Sequence, residues 1–399
     1  MTISKKIEGF MTKASWIRRM FEEGNKLKAR FGEDSVFDFT LGNPLPSPPE
    51  QVINTLKRIA GSDDPDLHRY MNNAGYSEVR ASIAGYLSGQ VGLPFGTRHV
   101  LMTVGAAGAM NVFLKAVLDP GDEVIIIAPY FVEYLFYIDN HGGSAVKVDA
   151  ADDFDLDVGA IERAVTASTK AVVICTPNNP TGVVYSDETL ESLGRMLEGK
   201  ERETGRTIYL VSDEPYRKIL YDLDRCPSHL NHYRDSILIT SHSKDLALPG
   251  ERIGYVTVHP EIDGVDQLVD AMTFTNRTLG FVNAPALWQR VAGVCQDASV
   301  DVEWYRQKRD LLYDGLTSLG YEMVKPGGAF YLFPRSPLED DQAFARLALE
   351  ERLLVVPGSG FGTPGHFRIA YCTVSEETIE RSLPVFEKVR QRALEAGSG

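Results

Sequence analysis

The chain has 399 residues, too many for one simple core, so two lobes are expected. Hydrophobic residues at 43% and charged residues at 24% give the ordinary balance of a globular enzyme. A formal charge of −14, from 55 acidic against 41 basic residues, argues against a nucleic-acid or anionic-membrane surface, since either needs a clustered basic face.

No run approaches the roughly 18 apolar residues of a membrane span. Met1–Glu8 carries lysines with no apolar stretch behind them, so no secretory signal is expected. Cys175, Cys226, Cys295 and Cys372 lie far apart without a Cys-x-x-Cys spacing. They read as buried thiols of a reducing cytoplasm, and neither a disulfide framework nor a metal site is expected.

Residues 13–30 have a helical rhythm (Trp16, Ile17, Met20, Phe21, Leu27), with basic residues between them that read as a solvated face. The stretch Gly42–Pro49 contains four prolines and cannot be helix, so it reads as a linker from an N-terminal arm to the main domain. From about 100 to 260, short apolar runs alternate with helical patterns. The predicted strands are Glu123–Ala128, Ala145–Val148, Ala171–Thr176, Ile208–Ser212, Ser236–Thr240 and Ile253–Val258. Helices are predicted at Phe131–Asn140, Asp157–Ala167 and Asp187–Glu198. Strands this uniformly apolar, separated by helices, predict an α/β domain with a mainly parallel sheet covered on both faces.

Beyond this the character changes. A helical pattern from about 284 to 319 leads to predicted strands at Tyr321–Val324, Ala329–Phe333, Leu353–Val356 and Phe367–Tyr371. Helices at Asp341–Arg352 and Ser375–Ala396 accompany them, which predicts a smaller α+β lobe. The expected division is an arm with part of the small domain over 1–47, a large domain over 48–298 and a small domain over 299–399.

Ligands in such folds sit beyond the carboxyl ends of the strands, and there the chain places Asn179, Asp213, Ser241 and Lys244. In Ser241-His242-Ser243-Lys244 the lysine amine can form a Schiff base with an aldehyde. The two serines, with Arg252 eight positions past the lysine, can hold a phosphate. Pyridoxal phosphate carries both groups. Gly105-Ala106-Ala107 opens a helix whose free N–H groups suit an anion, or serves only as a tight turn. Phe131 can stack on a planar ring or simply pack in the core. Asn179, in a rigid turn after a strand, can donate to a phenolic oxygen, and Tyr216 can share that task. Asp213 can keep a pyridinium nitrogen protonated, or merely cap a helix. Arg368, in an otherwise apolar strand, needs an anion: a substrate carboxylate or an internal acid.

Together these residues make the sequence resemble the class I/II aminotransferases, the fold-type-I pyridoxal-phosphate enzymes typified by aspartate aminotransferase, from roughly residue 35 to 390. Its most specific parts are Asn179-Pro180-Thr181-Gly182, Asp213-x-x-Tyr216, the Ser241–Gly254 block and Arg368. The resemblance implies that Lys244 holds the cofactor and then acts as base. It implies that Asp213 pairs with the ring nitrogen and that Asn179 and Tyr216 hold the phenolic oxygen. Ala106, Ala107, Ser241 and Arg252 would bind phosphate, and Arg368 and the Gly42 backbone the substrate carboxylate. Tyr70 resembles a tyrosine that reaches the phosphate of a neighbouring subunit, which implies a homodimer with shared sites.

Two departures stand out: His242 replaces an apolar or small residue, and Phe131 a tryptophan whose indole N–H it lacks. Arg277 falls near an arginine that receives a distal carboxylate in dicarboxylate-specific members, and an interface salt bridge is its other reading. The implied reaction moves an amino group from an L-amino acid, aspartate or a broader set, to a 2-oxo acid such as 2-oxoglutarate by a ping-pong route. A carbon–sulfur lyase or a synthase could use the same apparatus. A transcription regulator on this fold would need a DNA-binding module for which few residues precede the resemblance.

Overall fold

The computed structural model describes residues 2–13, 15–44 and 46–397, and of residues 12–22 the backbone only. The predicted rhythm at the N-terminus corresponds to a helix over Ser15–Phe31, and its Trp16, Ile17, Met20 and Phe21 side chains lie outside what is described.

A seven-stranded sheet forms the centre, in the order Val100–Thr103, Gly254–Val258, Ser236–Ser241, Tyr209–Asp213, Thr169–Cys175, Glu123–Ala128 and Ser144–Asp149. Only Gly254–Val258 runs against both its neighbours; the other pairings are parallel. The reason these runs are strands lies in their two-sided burial. Val124 and Ile126 enter one core with the helices Gly105–Val117 and Val265–Thr278, while Ile125 and Ile127 enter the opposite core with Asp187–Thr204. Successive side chains on a strand point to opposite faces, so a run buried on both must be apolar throughout.

Residues Phe37–Asp38 pair in parallel with Leu353–Leu354, which joins the N-terminal segment to the C-terminal lobe. That lobe has a three-stranded antiparallel sheet, Val356–Pro357, Phe367–Ala370 and Tyr331–Leu332. The helices Val302–Ser318, Asp341–Glu350 and Glu376–Gly397 pack around it. Two expectations are corrected. The pattern read as one helical stretch over 284–319 is two helices, Ala286–Val294 and Val302–Ser318, because Asp301 caps the second by accepting from the Trp304 N–H. Tyr321–Val324 is not a strand: Tyr321 is buried, and its hydroxyl donates to the Phe386 carbonyl. Val100–Thr103 is an additional edge strand.

Candidate active site

The carboxyl ends of the parallel strands face the small lobe across a cavity of about 360 Å³. Gly42, Ala106, Ala107, Phe131, Asn179, Asp213, Tyr216, Ser241, Ser243, Lys244, Arg252 and Arg368 all line it. Gly105 stands just behind: its φ of +80° suits glycine, and a Cβ there would lie 2.9 Å from Nη2 of Arg252. The helix Gly105–Val117 therefore starts against that guanidinium, and no side chain among the described residues caps it.

Lys244 follows the central strand Ser236–Ser241 in a single turn, His242–Asp245. Its Nζ donates to the Gly42 carbonyl and lies 5.7 Å from the centre of the Phe330 ring. Burial pulls its pKa down to about 8, helped by the charges of Arg368 and Arg252 and opposed by Cys372. Asp213 ends the adjacent strand, its Oδ2 accepting from the Tyr134 hydroxyl at 2.6 Å. Its Oδ1 is buried and has no partner among the described residues. Burial raises this carboxyl to about 6, with Glu214 adding to the rise and the Tyr134 hydrogen bond opposing it. The chain continues past Asp213 as a turn, so the helix-cap reading does not hold.

Arg368 reaches in from the small lobe. Nη1 donates to Asn179 Oδ1 at 3.0 Å and Nη2 to the Thr40 carbonyl at 2.7 Å. Its Nε is buried without a partner, and no carboxylate lies within ion-pair distance among the described residues. The rings of Tyr331 and Phe361 flank the guanidinium, each 4.8 Å from Cζ. A fork left short of acceptors suits an incoming carboxylate.

Tyr70 and Arg277 do not join this cavity. Tyr70 is 92% exposed, and Arg277 lies on the surface over the Phe274 ring. His242 points away, buried with its Nδ1 3.2 Å from Asp245 Oδ2. Sequence reasoning missed Thr40, Tyr134, Tyr331 and Phe361, which touch the site only through long-range contacts. The nearest signal for Tyr134 was its place one helical turn after Phe131.

The donor set fits pyridoxal phosphate. A buried carboxylate oxygen without a partner suits a protonated ring nitrogen, and a desolvated amine suits an aldehyde. Arg252, Ser241, Ser243 and the uncapped helix start offer several donors to a phosphate.

Residues 34–385 match the family model for aminotransferase class I and II. An aspartate/prephenate aminotransferase of Thermus thermophilus is 35% identical over 375 residues, 91% of this chain and 93% of that protein. A probable aspartate aminotransferase of Methanocaldococcus jannaschii is 31% identical, over 88% of this chain and 92% of that one. Among solved structures, an amino transferase from Eubacterium rectale superposes with a TM-score of 0.95 at 41% identity, over 98% and 99% of the two chains. Aspartate aminotransferase from Thermus thermophilus with maleate gives 0.84 at 31%, over 94% and 96%.

Proposed function

The chain belongs to the class I and II aminotransferases, which depend on pyridoxal phosphate, and on that premise we propose an L-amino acid:2-oxo acid transamination with 2-oxoglutarate as acceptor. The donor is aspartate or a broader set, and the route is ping-pong: one oxo acid leaves before the second arrives. The observation that carries this reading is the convergence of Lys244, the unpartnered Asp213 oxygen and the Arg368 fork on one cavity.

When bound, the cofactor supplies an aldehyde that accepts the amino group and a cationic ring that stabilises negative charge at the substrate α-carbon. Asp213 holds the ring nitrogen in its protonated form. Tyr216 and the Asn179 amide hold the phenolic oxygen, and Phe131 covers the ring. Arg252, Ser241, Ser243 and the N–H groups of Ala106 and Ala107 hold the phosphate, with Gly105 giving them room. Arg368 orients the substrate carboxylate beside Gly42. Lys244 Nζ removes the α-proton, a task prepared in the cofactor-free chain by burial, which pulls its pKa down to about 8.

With the chain divided at residues 47 and 298, the small lobe supplies Arg368 and the large domain supplies Lys244 and Asp213. The working unit is a homodimer in the cytoplasm. Tyr70, so exposed in one chain, completes the phosphate site of the partner, and Arg277 receives a distal carboxylate or forms an interface salt bridge. No helix among the described residues is long and apolar enough to cross a membrane.

An absorbance spectrum of the purified protein tests the reading. A cofactor band should shift on adding one amino acid and return with 2-oxoglutarate; a band that no donor alters would refute it. Donor panels of aspartate, alanine and phenylalanine for the parent and Arg277→Ala decide the distal contact. An undiminished aspartate preference would remove Arg277 from the pocket.

A further inference from the structure

Tyr331 belongs to the small-lobe strand Tyr331–Leu332, which pairs with the strand carrying Arg368. The side chain is 2% exposed and packs against Phe330 and Tyr216, a placement that a phenylalanine could fill equally well. Its hydroxyl is what needs explaining. It lies 2.8 Å from the Tyr216 hydroxyl. The Gly42 backbone sits against the same group, since a Cβ at residue 42 would stand 2.2 Å from it. The ring of Tyr331 also forms one wall of the Arg368 guanidinium, 4.8 Å from Cζ.

We infer that Tyr331 is a positioning residue whose hydroxyl orients Tyr216 toward the cofactor and whose ring holds Arg368 for the substrate carboxylate. The inference rests on the proposed roles of Tyr216 and Arg368. In a pair of hydroxyls one donates and the other accepts. When Tyr331 donates, the Tyr216 oxygen is occupied and its own proton turns to the remaining space, which is the cavity. One small-lobe side chain thereby joins cofactor recognition to carboxylate recognition.

Two substitutions separate the two jobs. Tyr331→Phe keeps the ring, removes only the hydroxyl and preserves the packing, so it carries the test even if a smaller residue fails to fold. In the holoenzyme it should raise the pyridoxal phosphate dissociation constant about tenfold, the weight of one hydrogen bond in a buried site, with the donor KM changed less than about twofold. It should also shift the pH titration of the bound cofactor's absorbance, which a purely structural role would not move. Tyr331→Leu should raise the donor KM about tenfold as well, because the guanidinium loses a wall. In a Tyr216→Phe background, Tyr331→Phe should add nothing further to cofactor loss.

An unchanged cofactor affinity and titration in Tyr331→Phe would overturn the inference. So would a full additional loss in the Tyr216→Phe background. A parent protein that binds no pyridoxal phosphate would instead bring down the functional reading first, and this inference with it.

Discussion

Asp213→Asn tests whether the fold stores free energy in a buried carboxylate with one oxygen left without a partner, for the sake of its cofactor. In the chain by itself burial moves this carboxyl from 3.8 to about 6. Folding therefore takes up a proton between those values. The stabilisation linked to that proton is complete below about 4 and disappears as the pH rises through about 6. The gap corresponds to about 3 kcal/mol that the ionised Asp213 withholds from the apoprotein at neutral pH. Urea unfolding of cofactor-free parent and Asp213→Asn, at intervals from pH 4.5 to 7.5, measures it. Asparagine does not titrate, so across this window the difference between the proteins should shift in favour of the variant by about 2 of those 3 kcal/mol as the pH rises, then level off above about 6. Taking the difference cancels the constant cost of the asparagine amide and the titrations common to both proteins. With the cofactor bound the variant should lose its advantage, because the ring nitrogen partners the parent's carboxylate. Parallel curves across the window would refute the reasoning.

Lys244→Ala should cut transamination by on the order of 10³-fold or more while cofactor is still bound noncovalently; substantial turnover without an added amine would overturn the base assignment. Cofactor loading onto the apoprotein should accelerate as the pH rises and reach half its plateau rate near 8, where the Lys244 amine loses its proton, rather than near 10.5. Stopped-flow absorbance follows it. Arg368→Lys keeps the charge but loses the fork, so kcat/KM should fall about tenfold to a hundredfold for donor and acceptor alike. An effect on only one of them would mean that the two carboxylates bind differently.

Much of this architecture was legible in the sequence because the parallel strands must be apolar on both faces. The runs over 123–128, 171–176 and 236–240 were readable from their apolar character and their alternation with helical patterns, and the observed strands end within about two residues of them. Val100–Thr103 escaped because three apolar residues and a threonine, just ahead of a helix, carry no clear period. The helical stretch over 284–319 misled because apolar spacing persists across Cys295–Asp301, where the backbone leaves the helix. At the site, residues that meet the ligand at strand ends were readable from local pattern. Tyr134 and Tyr331 were not, because the first acts through a residue 79 positions away and the second through one 115 positions away. Their hydroxyls acquire a purpose only once the sheet and the small lobe bring them beside Asp213 and Tyr216.

Borohydride reduction of the holoenzyme, followed by peptide mass mapping, tests the central assignment most directly. The reduced cofactor's mass should appear on the peptide containing Lys244 and on no other lysine, and Lys244→Ala should abolish it. Label on a different lysine, or persistence of label in that variant, would contradict the account.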